Sequence, residues 1–258
     1  MIQRHAATRK LLCCLATIST SLAILALWAP TVWGDSPGPA AATAAATTAA
    51  THTLTLQNGL NGYDGCEDNS ISTFAKSSNF GNNSTMNLRA KHEENLLVRF
   101  DLSALNHLPP GSTVDVAVLS LWCTYQSNTS PIEVNSYRLL RSWREMEATW
   151  NQARAGVPWG QPGAFQIGVD RAAQTATTGI LDRTNMWLHL DWTFLVSQWQ
   201  ANPSINHGAV ISGTGWAHVT YAFASSENVS QAIRPRLTIT YTTPAGLPTR
   251  IRLPLLFK

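Results

Sequence analysis

Alternating apolar and polar residues recur in short runs along the middle of the chain. Such period-two patterning is typical of β-strands with one buried face. The clearest runs lie at residues 54–56, 96–100, 114–122 and 237–241. In the third run the intervening residues Ala117, Leu119 and Leu121 are apolar as well. This predicts a strand that is covered on both faces.

One segment has helical spacing instead. Trp192, Leu195, Val196 and Trp199 fall at positions i, i+3, i+4 and i+7, the spacing of one helix face. Asp191 is a suitable N-cap, and the dipeptide at 202–203, Asn-Pro, ends the segment. Turn-rich sequences separate the predicted strands. We therefore predict an all-β fold, a jelly-roll-type β-sandwich with one short amphipathic helix near 191–200.

The segment 137–160 concentrates three of the ten tryptophans, Trp143, Trp150 and Trp159. Its spacing fits neither a regular helix nor a regular strand. We interpret it as a strand at 137–140 that continues into a loop folded over the sheet. Buried indoles and an ion pair between Glu145 and an arginine are expected to hold this loop, since a large aromatic side chain buries about 150–250 Å².

The first 34 residues have the features of a secretory signal peptide. Arg4, Arg9 and Lys10 precede an apolar run over 11–30, and the segment ends at Gly34. An uncleaved membrane anchor is the alternative, because the run has about the length of a membrane span. Residues 35–51 are rich in Ala and Thr and predict a linker, with an Ala-rich helix as the alternative.

The net charge argues against a nucleic-acid partner. The chain has 18 Lys and Arg against 15 Asp and Glu, a net charge of +3. Removal of residues 1–34 takes three basic residues and no acid, which leaves the remainder neutral. The basic character therefore does not indicate a nucleic-acid-binding face.

One domain is predicted over residues 52–243, long enough to bury a substantial core. Residues 244–258 follow it as a Pro- and Gly-containing linker with a short basic and apolar tail. We interpret this tail as a possible attachment to the cell envelope, with an extra edge strand or a frayed end as the alternative.

Short motifs recur in a fixed order along 52–243. They include LVRFDLSAL at 97–105, SWRE at 142–145, TWN at 149–151, LDWT at 190–193, SSE at 225–227 and RPRL at 234–237. This succession resembles DNRLRE-type domains, which are grouped with family 96 carbohydrate-binding modules and with disaggregatase-related repeats. The residues that carry the resemblance are Phe100, Asp101, Trp143, Glu145, Thr149, Trp150, Asp191, Trp199, Glu227 and Pro235.

The resemblance implies a secreted, jelly-roll β-sandwich that accompanies polysaccharide-active or cell-surface proteins. Some members bind acidic polysaccharides such as alginate. We therefore expect an extracellular, monomeric module that binds polysaccharide without cleaving it. A structural or adhesive surface protein is the first alternative, and a polysaccharide-cleaving enzyme is the second.

Two groups of residues are candidates for ligand contact. Arg89, Lys91 and Arg99 are expected on the polar sides of neighbouring strands, where they would form a basic face for carboxylated sugars. A solvated sheet face is the alternative. Trp159 and Trp216 lie in Gly- and Pro-rich loops, where each is either a stacking platform for a sugar ring or a plug over the end of the sandwich.

Other residues suggest a cation and a disulfide. Asp64, Glu67 and Asp68 form an acidic loop whose oxygens suit Ca²⁺, although a solvated turn is the alternative. No other cofactor is predicted. Cys66 and Cys123 are the only cysteines after residue 34. In an oxidising compartment they form either a disulfide or two separate thiols.

Catalytic patterns are scarce, and no catalytic residue is predicted. Glu145 and Glu147 are the one pair of carboxylates of the type that hydrolyses glycosidic bonds, but Glu145 lies inside a structural motif. The seven histidines show no metal-hydrolase spacing, and no nucleophile elbow or phosphate loop is present.

Overall fold

The computed structural model describes residues 48–245, so the predicted signal peptide and most of the predicted linker and tail lie outside the described residues. Within this part, one α-helix and thirteen strands form. They are β1 (Ala50–Leu56), β2 (Cys66–Ser72), β3 (Thr85–Arg89), β4 (Glu94–Phe100), β5 (Thr113–Gln126), β6 (Ile132–Arg138), β7 (Gln152–Arg154), β8 (Val157–Pro158), β9 (Thr177–Leu181), β10 (Met186–Asp191), α1 (Thr193–Ala201), β11 (Ala209–Thr214), β12 (Thr220–Ala224) and β13 (Arg236–Thr243).

Eleven of these strands belong to one curled sheet. Its order is β1-β13-β5-β12-β3-β4-β11-β6-β9, with β10 paired to β5 and β2 paired to β4. Every strand pairing in it is antiparallel. The short strands β7 and β8 form a separate ribbon. The curled sheet encloses its own core, which confirms the predicted all-β, sandwich-like fold.

The strand patterns identify the main core correctly. Ala117, Leu119 and Leu121 of β5 are fully buried and face inward, as do Leu237 and Ile239 of β13. The prediction that β5 is covered on both faces is wrong in part. Val116, on the opposite side of the strand, remains 47% exposed, because no layer of the described chain covers this end of the outer face completely.

Strand β4 is buried on both faces. Leu96 and Val98 enter the main core, whereas Leu97 faces a second apolar cluster with Ile71 and Val210. The predicted tryptophan loop covers this second cluster, as Trp143, Trp150 and Trp159 are all at most 7% exposed. The continuous apolar run in β4 therefore follows from the loop that folds over it.

The predicted helix forms as α1. It begins at Thr193 with Trp192 at the N-cap, so the predicted N-cap Asp191 lies one residue before it. Oδ1 of Asp191 nevertheless accepts a hydrogen bond of 2.8 Å from the backbone N of Thr193. Leu195, Val196 and Trp199 are buried, and Trp199 packs edge-on against Trp192 at a centroid distance of 5.7 Å. The stripe of apolar residues is thus part of the main core, as its spacing predicted.

Candidate functional site

The predicted basic face is neutralised at two of its three positions. Nε of Arg89 lies 2.6 Å from a carboxylate oxygen of Glu93, and Arg99 is paired with Glu67 at 2.5 Å. Lys91 is exposed and takes part in no ion pair among the described residues. Of the three predicted residues, Lys91 alone therefore offers an unneutralised positive charge to a ligand.

Lys91 does not lie on a strand, contrary to the sequence prediction. Strand β3 ends at Arg89, and the chain turns sharply into β4. Lys91 and His92 have φ values of 61° and 58°, in the left-handed region that non-glycine residues seldom adopt. Nζ of Lys91 lies 2.9 Å from Nε2 of His218, which links this turn to the segment before β12. We call residues 91–92 the Lys91–His92 turn.

An open hollow of about 700 Å³ lies beside this turn, and we call it the Trp216 hollow. Trp216 is 96% exposed, so its indole has almost no contact with the domain. Single apolar residues are common on protein surfaces, so the exposure of Trp216 is informative only because its ring borders a hollow. The hollow is lined by Lys91, His92, Pro131, Glu133, Thr214, Gly215 and Trp216.

A second hollow of about 670 Å³ lies on the other side of the Lys91–His92 turn, and we call it the Phe165 hollow. It shares Lys91 and His92 with the Trp216 hollow. Phe165, Ile167 and Arg171 supply its apolar and basic surface, and Ile167 is 57% exposed. These three residues were not predicted from the sequence, because no local motif distinguishes them.

Asp170 holds the loop that carries Phe165 and Ile167. Its carboxylate is fully buried and accepts hydrogen bonds from the backbone N atoms of Gly160, Gln161 and Gln166 at 2.8–3.1 Å. It also accepts from Nε of Arg141 at 3.0 Å. A buried carboxylate with four donors fixes the loop in one conformation.

Trp159 is not available to a ligand, so the prediction of a stacking platform at this position is wrong. The indole is only 4% exposed, and its Nε1 donates to the carbonyl oxygen of Thr149 at 2.9 Å. It packs in the second apolar cluster, beneath the loop rather than at its surface. Of the two predicted tryptophans, only Trp216 faces solvent.

Three carboxylates converge beside strand β2. Asp68, Glu145 and Glu227 each place an oxygen within 4.8 Å of the others. Asp68 Oδ2 accepts from the backbone N of Ser226 at 2.7 Å, and Glu145 Oε1 accepts from the backbone N of Asp68 at 2.7 Å. Among the described residues, this is the one group of acidic, His or Cys side chains close enough to share a metal ion. We call it the carboxylate cluster.

Burial and mutual repulsion favour the protonated forms of the carboxyl groups of Asp68 and Glu145 in this cluster. Burial raises the pKa of Asp68 well above its usual range, and the charge of Glu227 raises it further. The pKa of Glu145 rises to about 7, chiefly through burial, although the amide of Asp68 opposes the shift. Oε2 of Glu227 is buried without a hydrogen-bond partner. A shared proton or a cation is needed to offset the charge.

Two arrangements that the sequence predicted for these acidic residues are not formed. The predicted calcium loop does not assemble, since Asp64 is exposed, Glu67 pairs with Arg99, and only Asp68 points inward from β2. The predicted ion pair between Glu145 and an arginine is also absent, because Glu145 bonds to a backbone amide instead. Neighbouring residues on a strand face opposite sides, so Glu67 and Asp68 cannot share an ion from adjacent positions.

The predicted disulfide is not formed. Cys66 and Cys123 are both buried as free thiols. Cys66 lies on β2 beside β4, and its Sγ donates to Oδ2 of Asp68 at 4.0 Å. Cys123 lies on β5 opposite Met186, and its Sγ donates to the carbonyl oxygen of Tyr125 at 3.6 Å. Burial raises the pKa of both thiols, for Cys123 to about 11, so neither is a ready thiolate.

The remaining residues of the sequence signature have structural contacts. Phe100, Trp143 and Trp199 are at most 1% exposed, and Pro235 is buried. Oδ1 of Asp101 accepts from the backbone N of Ser103 at 2.8 Å. Thr149 Oγ1 accepts from the backbone N of Asn151 at 3.2 Å. These residues of the signature therefore stabilise the core and the loops.

Comparison with protein-family models and with curated proteins gives no match for this chain. Within residues 48–245, the helices are too short or too polar to cross a membrane.

Proposed function

We propose that this domain is a non-catalytic module that binds an extracellular polysaccharide through the Trp216 hollow. The observation that carries the proposal is the exposed indole of Trp216 beside the unneutralised amine of Lys91. An aromatic face can pack against the C–H groups of a sugar ring, and an amine can pair with its hydroxyl or carboxylate groups. We propose a polysaccharide with acidic sugars as the preferred ligand, because Lys91 places a positive charge beside the indole. The exposed carboxylate of Glu133 lines the same hollow and would accept hydrogen bonds from sugar hydroxyl groups.

We also propose that the domain is exported and attached through a linker. The basic and apolar residues 1–34 support secretion, and the Ala- and Thr-rich residues 35–51 support a linker between the domain and its point of attachment. The resemblance to DNRLRE-type domains is consistent with this location. We propose a monomer whose tail, residues 244–258, contacts the cell envelope.

The experiment that tests the proposal is native gel retention of the full-length chain in gels that contain one polysaccharide each. Alginate, pectin and chondroitin sulfate represent acidic polymers, and xylan and cellulose represent neutral ones. We expect retardation by at least one acidic polymer and less retardation at high salt, since exposed charge pairs are screened. No retardation by any of the five polymers would contradict the proposal.

A glycoside hydrolase is the second candidate, and one observation favours it. Glu145, with a pKa of about 7, lies beside Glu147, whose pKa is lowered mainly by the amide of Ala155, at a hollow of about 370 Å³. Carboxylates with pKa values shifted apart are typical of acid and base pairs. However, Glu145 Oε1 points to the amide of Asp68. Release of reducing ends from a bound polymer, lost in Glu145→Gln, would establish hydrolysis.

A further inference from the structure

The two hollows beside the Lys91–His92 turn have the same kind of lining. The Trp216 hollow combines an indole with the amine of Lys91 and also contains the carboxylate of Glu133. The Phe165 hollow combines a phenyl ring and the exposed Ile167 with the guanidinium of Arg171. Each has a volume within the range of about 300–1,000 Å³ that is typical of sites for one small ligand. Each hollow therefore repeats the pairing of an apolar surface with a cation.

The turn between the hollows is strained. Two consecutive non-glycine residues, Lys91 and His92, adopt left-handed conformations. Such conformations persist only where the surrounding structure enforces them, and they cluster at binding sites. Here the backbone N of Ala90 donates to the carbonyl oxygen of Val219 at 3.1 Å, and the ring of His92 packs edge-on against Phe165 at 5.4 Å. The turn is thus held from both sides, by the segment before β12 and by the Phe165 loop.

The Phe165 hollow is held by rigid structure. Arg171 stacks on the ring of Tyr137, with its guanidinium carbon 3.9 Å from the ring centroid. The preceding residue, Asp170, fixes the loop of Phe165 and Ile167 by its buried hydrogen bonds. A site that is ordered before binding loses less entropy when the ligand arrives.

From these observations we infer that both hollows are subsites for one ligand, an internal stretch of a linear polysaccharide that crosses the Lys91–His92 turn. The inference rests on the proposed function. A ligand that fills both hollows, on either side of the turn, must be extended. Because the hollows are similar, it must also present similar chemical groups to each of them. A polymer of sugar units meets both conditions, whereas a monosaccharide or a chain end occupies one hollow only.

The test uses the polymer that retards the wild-type chain, together with size-fractionated oligosaccharides prepared from it. The variants are Ile167→Ser and Arg171→Gln in the Phe165 hollow, Trp216→Ala in the other, and Ile180→Ser as control. Ile180 is 61% exposed on β9 and lines neither hollow, so its change tests the loss of a surface isoleucine alone. Circular dichroism melting checks that each variant folds.

For the wild-type chain we expect affinity to rise from the disaccharide through the hexasaccharide. Ile167→Ser and Arg171→Gln each weaken hexasaccharide binding about tenfold, that is by about 1.4 kcal/mol, and leave disaccharide binding unchanged. Ile180→Ser matches the wild type. The inference is overturned if affinity stops rising at the disaccharide, or if only Trp216→Ala weakens binding of the longer chains. That result would leave the proposed function intact, whereas failure of the wild type to bind any polymer would overturn both.

Discussion

Glu145 accepts a hydrogen bond of 2.7 Å from the backbone amide of Asp68, which attaches the tryptophan loop to strand β2. Further bonds strengthen the attachment. The side-chain amides of Asn69 and Asn79 both donate to the carbonyl oxygen of Glu145, at 2.9 and 2.7 Å. The loop that covers the second apolar cluster is therefore held by one short segment around Glu145.

The contact of Gly81 with this segment predicts a large loss of stability on substitution. A Cβ atom at Gly81 would lie 2.5 Å from the carbonyl oxygen of Glu145, so Gly81→Ala must displace the loop. We expect a loss of about 1–3 kcal/mol in the free energy of unfolding, the usual effect of overpacking. Urea unfolding followed by tryptophan fluorescence measures it.

Gly156→Ala is the control for this prediction. Gly156 has a φ of 71°, but a Cβ atom added there would meet no other atom within 4 Å. Its substitution therefore carries only the backbone cost of about 1–2 kcal/mol. Equal losses in the two variants, with unchanged fluorescence of the folded state, would show that Gly81 does not fix the loop.

The carboxylate cluster predicts that stability falls as the pH rises. The pKa of Glu145 is about 7 in the folded chain and about 4.5 when the chain unfolds. Between these values the folded state holds a proton that the unfolded state has lost, so the stabilising contribution present below pH 4.5 is lost as the pH rises through 7. We expect the wild type to lose stability relative to Glu145→Gln between pH 5 and pH 8, in buffer with EDTA.

Other groups that titrate in this pH range do not disturb the comparison of the wild type with Glu145→Gln. His92 and His207 have lowered pKa values and oppose the trend below pH 6.5, but they are common to both chains and cancel in the comparison. Glu147, whose pKa is lowered, is ionised throughout the range, so Glu147→Gln should show no pH-dependent difference from the wild type. A constant difference between wild type and Glu145→Gln would exclude a proton that titrates on Glu145 in this range.

Calcium binding remains a prediction. The carboxylate cluster, and not the 64–68 loop, is the arrangement among the described residues that could hold the ion. A cation there competes with protons, so calcium should raise the melting temperature at pH 8 more than at pH 5. Glu227→Gln should reduce the effect, whereas Asp64→Asn should not. Thermal melting with and without millimolar calcium measures this, and the absence of a shift at pH 8 would contradict a calcium site.

The left-handed turn predicts opposite effects on stability and binding. Lys91→Gly removes the conformational cost of about 1–2 kcal/mol at a φ of 61°, so the variant should be at least as stable as the wild type. Polysaccharide retention should nevertheless decrease, because the amine is lost. Lys91→Val, which loses the same amine but has a β-branched side chain, should be less stable. Equal melting temperatures for the two variants would contradict strain at this position.

The fold was largely predictable because it depends on local patterns. Alternation at 96–100 and 237–241 identified β4 and β13, and the helical spacing of Leu195, Val196 and Trp199 identified α1. Strand β2 was missed, since its sequence CEDNSIS contains mostly polar residues that bond to the tryptophan loop and to the segment after β12.

The sites were less predictable, because they depend on contacts between distant segments. Glu227 meets Asp68 across more than 150 residues of sequence, and no spacing rule connects them. Arg99 was predicted as a ligand contact, but its partner Glu67 lies on the neighbouring strand. The burial of Trp159 follows from the fold of its loop, while its Gly- and Pro-rich surroundings resemble those of the exposed Trp216.

The most direct test of polysaccharide binding is the retention of Trp216→Ala by the polymer that retards the wild type. Tyr125→Ala is the matched control, because Tyr125 is an exposed aromatic residue that lines neither hollow. Since Trp216 is 96% exposed, its substitution should leave the melting temperature unchanged. We predict about a tenfold loss of affinity, about 1.4 kcal/mol, for Trp216→Ala and none for Tyr125→Ala. Full retention of a folded Trp216→Ala variant would contradict the account.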